Sequence, residues 1–131
     1  MLSKAVDAVR KFHETFGAYI SKEPVLPNRE LRHIRLNLLE EEVNELHHAE
    51  FNNDLIEIAD AIGDCIYILL GTTLSYGIDI DKVFKAIHKN NMSKVWPDGT
   101  VHHSKEKGKE GKVLKPPGFE RVDLKNIVYP R

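Results

Sequence analysis

A single cysteine in 131 residues rules out an internal disulfide, so the fold has to rest on packing. That thiol, Cys65, lies within Gly63-Asp64-Cys65-Ile66-Tyr67, an apolar helical setting in which a packed side chain is expected. No apolar run approaches the roughly 20 residues that cross a bilayer. Met1-Leu2-Ser3-Lys4-Ala5-Val6-Asp7 also lacks the apolar centre of a secretion signal. A cytoplasmic protein without membrane contact is the expectation. Neither GxxxxGK[ST] nor GxGxxG occurs, which sets aside P-loop and dinucleotide-fold chemistry. No Cys–His pairing marks a nucleophile. The last absence is the most telling: residues 40–64 contain no Lys and no Arg.

What is present is a soluble globular composition, 41% hydrophobic and 30% charged, in a chain long enough to bury a core of its own. The net charge of −1 conceals a split. Residues 1–100 carry 11 basic against 16 acidic side chains, and residues 101–131 carry eight against four. An acidic body is a poor partner for nucleic acid, whereas a basic tail suits a phosphorylated small molecule.

Four helices are expected in the first 95 residues. Val6, Val9, Phe12, Phe16 and Ile20 recur at helical spacing after Ser3, an N-cap type. Pro24 and Pro27 interrupt the chain, and Asn28 caps a second helix to about His48. Asn52-Asn53-Asp54 turn into a third, from about Asp54 to Tyr76, which Gly77 ends. Asp79 caps a fourth, carrying Ile80, Val83, Phe84 and Ile87 and ending near Lys94. Beyond the Pro97-Asp98-Gly99 turn, the glycines and prolines exclude a long helix. Thr100–His103 and Lys112–Lys115 are expected to pair as a short hairpin around Ser104–Gly111. The expected fold is all-α: an antiparallel four-helix bundle core over residues 1–96, with a basic, irregular or hairpin extension over 97–131 packed on it.

The carboxylates stand out on these helices. Residues 40–64 hold nine of them. At about 100° per residue, Leu36, Leu39, Val43 and Leu46 form one stripe of the second helix, a plain core face. Leu31, Ile34 and Leu38 form another, continued by Glu42 and Glu45, with Glu41 at its edge and Glu40 pointing away. On the third helix Glu57, Asp60 and Asp64 share a face with Ala61, Ile68 and Gly71, while Ile58, Ile62, Cys65, Ile66, Leu69 and Leu70 cover the other sides. Two like charges about 4 Å apart repel by roughly 4 kcal/mol at an effective dielectric near 20. A surface helix pair offers only a few tenths in return. Acids on two successive apolar stripes, with no local cation, therefore point to a bound dication, and hard oxygen ligands suit Mg²⁺, with Mn²⁺ as the alternative. The seven histidines fit a metal less well, because His47-His48 and His102-His103 are adjacent pairs that diverge on helix or strand.

Glu41-Glu42-Val43-Asn44-Glu45 and Glu57-Ile58-Ala59-Asp60 resemble the EExxE and ExxD signature of the all-α nucleoside triphosphate pyrophosphohydrolases, the MazG-like superfamily. Gly77–Phe84, His88–Lys94 and Gly111–Pro116 resemble the group labelled Cof-like or phosphoribosyl-ATP pyrophosphohydrolase-like. There is one departure. In many relatives the second motif places its Asp on Asp64 and its Glu on Ala61. The ligand set is therefore open here: Asp60 and Asp64, Glu57 and Asp60, or all three across two ions.

The resemblance implies cleavage of an NTP or dNTP to a monophosphate and pyrophosphate, with phosphoribosyl-ATP hydrolysis or a non-catalytic metal-stabilised binding module as alternatives. On that expectation Glu42, Glu45, Glu57, Asp60 and Asp64 are the metal ligands and Glu41 the general base. Lys94 meets a phosphate as a point charge, Asn91 bonds phosphate or sugar, and Lys112 and Lys115 fold toward the triphosphate from the tail. A third helix that is apolar nearly all round needs cover from more than one side. The resemblance implies a homodimer or a dimer of dimers.

Overall fold

A computed structural model describes residues 1–130. The chain is all-helical, with four long helices and no strand among the described residues: α1 (Ser3–Phe16), α2 (Arg29–Phe51), α3 (Leu55–Tyr76) and α4 (Ile80–Met92), followed by one short turn of helix, α5 (Lys125–Val128). It divides into two compact units, Met1–Ile80 and the residues from Asp81 onward. No helix is long and apolar enough to cross a membrane.

In the first unit the helix ends follow from local chemistry. Asn28 Oδ1 accepts from the Leu31 N–H at 2.8 Å and Asp54 Oδ1 from the Glu57 N–H at 3.2 Å, each satisfying a first-turn donor with no partner inside the helix. The start of α1 differs from the expectation. Leu2 occupies the N-cap and makes no side-chain cap bond, while Ser3 is already helical. Gly17 and Gly77 end α1 and α3 in the left-handed conformation. Gly77 has a second reason to be glycine: a Cβ there would collide with the Glu23 carbonyl oxygen.

The interior of this unit is small. Val9 of α1 packs with Leu70 and Leu74 of α3, ringed by Val6, Ile20 and Ile80. Ile20 lies beyond the end of α1 and reaches the core from the connection to α2. That connection runs along the end of α3, where the Ser21 N–H donates to the Leu74 carbonyl and the Val25 N–H to the Tyr76 carbonyl, both at 2.9 Å. The Ser75 hydroxyl donates to the Tyr19 carbonyl at 2.8 Å.

α2 and α3 pack antiparallel, and here the structure corrects a sequence expectation. The stripe of Leu36, Leu39, Val43 and Leu46 is not a plain core face, since Leu36 is 57% and Val43 38% exposed. The buried positions of α2 are Arg35 and Ala49. The periodicity marks apolar spacing but not the packed face: the α2 row with buried positions runs through Arg35, Glu42 and Ala49. α3 likewise leaves Ile62, Ile66 and Leu69 substantially exposed.

In the second unit Val83 of α4 is buried, and Lys85 pairs with Asp81 across one turn at 2.8 Å. The expected hairpin is reduced to one antiparallel bridge, His103 with Val113. It is flanked by N–H donation from Ser104 to the Lys112 carbonyl and from Leu114 to the His102 carbonyl, each at 2.8 Å. The glycines at 108 and 111 adopt positive φ, so the strands cannot extend. The Trp96 ring lies 4.3 Å from that of His102, and the Asn90 amide donates to the Glu120 carbonyl at 2.8 Å.

Candidate metal centre

Antiparallel packing of α2 on α3 brings three acids together. Glu42, Glu45 and Asp64 each place a carboxylate oxygen within 4.8 Å of the others. Glu42 and Glu45 are three residues apart on α2, so they lie on one face, and Asp64 faces them from α3. Glu42 and Asp64 are half-buried and Glu45 is exposed. The cluster is thus a shelf at the edge of the seam with one carboxylate turned inward.

Glu42 carries the electrostatic strain. Its Oε2 is enclosed by protein and has no hydrogen-bond partner, because the groups facing it are the Glu45 and Asp64 carboxylates, which when ionised only accept. Burial, followed by the Glu45 and Asp64 carboxylates, pushes its pKa from 4.5 up to about 7. The same groups act on Cys65, beside Asp64: burial first, then Glu42, Asp64 and Glu45, raise its thiol pKa. The thiol is half-buried and held protonated, as expected of a packed cysteine.

The donors present fit a hard dication. All three are carboxylate oxygens, and their separation is near the about 4 Å span across an octahedral Mg²⁺ shell. The orphaned Glu42 oxygen has the partner it lacks if a cation binds there.

The other acids named from the sequence fall elsewhere. Glu57 and Asp60 are exposed and lie outside the three-carboxylate group, although their spacing puts them on the Asp64 side of α3. Glu41 is exposed, next to Glu42 on α2. Ala61, one turn before Asp64, is 2% exposed and contributes only a methyl group. Asn91, Lys94, Lys112 and Lys115 belong to the second unit. There Asn91, Lys112 and Lys115 are exposed and Lys94 is half-buried. Lys94 lies just past the end of α4, its N–H donating to the Asn91 carbonyl at 3.1 Å, and Lys115 Nζ stands 5.6 Å from the centre of the Phe119 ring.

Residues 9–91 match the family described as Phosphoribosyl-ATP pyrophosphohydrolase, a span that includes all three clustered carboxylates and well over half of the chain. The chain belongs to the phosphoribosyl-ATP pyrophosphohydrolase family. Among curated proteins, it is similar to "Uncharacterized protein L479" of Acanthamoeba polyphaga mimivirus, 37% identical over 78 residues that make up 56% of this chain and 31% of that protein. The chain thus spans under a third of the length of the curated relative it matches. Membership of the phosphoribosyl-ATP pyrophosphohydrolase family supports activity of the pyrophosphohydrolase type, and the acidic cluster is consistent with dependence on a divalent metal.

Sequence reasoning passed over two residues that the structure singles out. Arg35, seven residues before Glu42, is buried in the α2–α3 seam, and His13 is buried on α1. The available signal was spacing: Arg35 precedes Glu42 by two helical turns, and Gly71 follows Asp64 by two, so both extend the acidic row.

Proposed function

We propose that this protein is a Mg²⁺-dependent nucleotide pyrophosphohydrolase that cleaves an NTP or dNTP to the monophosphate and pyrophosphate. The observation that carries the reading is the enclosed, donor-less Glu42 oxygen facing Glu45 and Asp64 within a phosphoribosyl-ATP pyrophosphohydrolase domain. Glu42, Glu45 and Asp64 would hold the ion, and Glu57 and Asp60 are available for a second one. A bound dication supplies charge neutralisation and Lewis acidity at the phosphates. Glu41 is our assignment for the base: its exposed carboxylate takes a proton from the attacking water as the new O–P bond forms and pyrophosphate departs with the electrons of the broken P–O bond. Lys94 and Asn91 are our assignments for phosphate contacts, with Lys112 and Lys115 adding charge from the tail.

We also infer self-association. Leu36 and Val43 on α2, and Ile62, Ile66 and Leu69 on α3, leave apolar side chains exposed on both helices, and exposed apolar surface of this kind marks sites of association. A second copy of the chain covers them in a homodimer or a dimer of dimers. Light scattering after gel filtration that returned a 15.0 kDa particle would refute this.

Incubation of the protein with a panel of NTPs, dNTPs and phosphoribosyl-ATP, with Mg²⁺ or with EDTA, tests the activity. Pyrophosphate is expected only with Mg²⁺, and Glu41→Gln is expected to lower the rate at least about 100-fold while leaving metal binding intact. A preference for phosphoribosyl-ATP would select the substrate in the family description. Absence of pyrophosphate from every substrate would refute the enzymatic reading in favour of a binding module, the view to which buried Ala61 lends weight.

A further inference from the structure

His13 and Arg35 are buried side by side with no carboxylate between them. His13 is 3% and Arg35 8% exposed. Arg35 crosses the seam to donate from Nε to the Thr72 hydroxyl at 3.1 Å and from Nη2 to the Ile68 carbonyl at 2.7 Å. Both acceptors are neutral. A Cβ on Gly71 would fall 2.5 Å from Arg35 Nη2 and 2.7 Å from His13 Nε2, so the two nitrogens converge over a position of α3 that has no side chain.

The tautomer of His13 follows from its other contact. Nδ1 lies 3.3 Å from the Tyr19 carbonyl oxygen, which only accepts, so Nδ1 carries the hydrogen. In the neutral ring Nε2 then presents its lone pair on the side of the guanidinium. Among the described residues, the groups facing this imidazole are Arg35 from α2, the Gly71 backbone from α3 and the Tyr19 carbonyl from the connection between α1 and α2. The charged neighbours on its own helix, Arg10 and Glu14, are exposed. The Tyr19 carbonyl is shared with the buried Ser75 hydroxyl. His13 therefore joins α1, the connection and the α2–α3 seam at one point.

We propose that the His13–Arg35 contact over Gly71 is an acid-released latch. With His13 neutral, α1 and the connection are held against the seam. Protonation turns Nε2 into a second donor and sets imidazolium against guanidinium with no anion to separate them. That state is relieved when α1 and the Tyr19 segment move away, which also takes Tyr19 out of the wall of the roughly 500 Å³ cavity it lines with Pro27, Asn28, Glu30, Leu31 and Ile34. Burial, with Arg35 adding to it against the opposing Tyr19 bond, holds the His13 pKa below its usual 6.5. The sign follows: a pKa lower folded than unfolded means that the unfolded chain binds the extra proton, so stability is lost as pH falls below about 6.5.

The test is an NMR titration of His13 in the full chain, with melting temperatures from pH 8 to pH 5 for the native protein, His13→Asn and Arg35→Met. Asn retains a donor for the Tyr19 carbonyl without a titrating ring. His13 is expected to stay neutral well below pH 6.5, and the native protein to lose about 5 °C of melting temperature relative to His13→Asn between pH 7 and pH 5, a difference in which the opposite response of the acidic cluster cancels. Arg35→Met should move the His13 titration upward. A native His13 that titrates at or above 6.5 would overturn the latch. So would an unchanged titration in Arg35→Met, or a pH dependence of His13→Asn equal to the native one. If His13→Asn does not fold, the native titration alone decides.

Discussion

The seam between α2 and α3 carries opposite charge at its two ends, and the ends solve the burial problem differently. At one, Glu42, Glu45 and Asp64 converge with no cation among them. At the other, Arg35 is buried with no anion, held by a hydroxyl and a backbone carbonyl. Both arrangements are unfavourable by the general cost of an unpaired internal ion, several kcal/mol before hydrogen bonding. The difference lies in what remains unsatisfied. Arg35 finds neutral oxygens, since helices α2 and α3 offer acceptors in plenty. Glu42 finds no donor, because α3 opposes it with another acid. The Arg35 guanidinium is bonded within the chain, whereas the enclosed Glu42 oxygen is not. That asymmetry is the physical case for a metal at one end and a structural clamp at the other.

The largest expected effect comes at the clamp. Gly71→Ala drives a methyl group into Arg35 and His13 together, and we expect a loss of about 2–3 kcal/mol in urea unfolding. A loss below about 0.5 kcal/mol would mean that the cationic end is loosely packed. Next is Glu42→Gln at the acidic end. The amide supplies the missing donor and removes a repelled charge, so the metal-free protein should melt higher than the native one. The rise in melting temperature on adding Mg²⁺ should shrink, with affinity down at least about tenfold. A variant that keeps its full response to Mg²⁺ would remove Glu42 from the site.

The acidic end also has a pH signature. The Glu42 pKa is raised from 4.5 to about 7, so the folded protein binds a proton that the unfolded chain has released between those values. Metal-free stability should therefore fall as pH rises from about 4.5 through 7. A metal competes with that proton, so calorimetric Mg²⁺ affinity should rise through the same upper range, by up to about tenfold per pH unit below 7. An affinity unchanged between pH 6 and pH 8 would contradict this. The two ends thus respond to acid with opposite sign, since protons relieve the carboxylates and unseat His13. The smallest effect is expected from Thr72→Val, which deletes one of the two Arg35 acceptors and should cost about 1 kcal/mol, read from urea midpoints.

The helices were legible in the sequence where their signals are local. Asn28, Asp54 and Gly77 cap or end helices as expected, because a cap depends on atoms within one turn. The tail bridge between His103 and Val113 was legible for the same reason, though glycine flanks keep it from growing. Carboxylate spacing narrowed the candidate metal centre to a handful of residues. It did not separate Asp64 from Glu57 and Asp60, since a helical wheel gives the angle of a side chain but not the stagger of the helix opposite. Leu36 and Val43 show the converse: their apolar spacing suggested a core face, yet both are exposed, because spacing does not say which row of α2 meets α3. Arg35 and His13 were not legible, because charged side chains are read as solvated until a neighbouring helix encloses them.

Sequence alone determined the four long helices, the ends marked by Asn28, Asp54 and Gly77, and the run of acids without a local cation. Those properties depend on residues close together along the chain. Tertiary structure decided which acids converge, that Ala61 is buried, and that a histidine and an arginine meet over Gly71. These are matters of register between packed helices, which short-range chemistry does not specify.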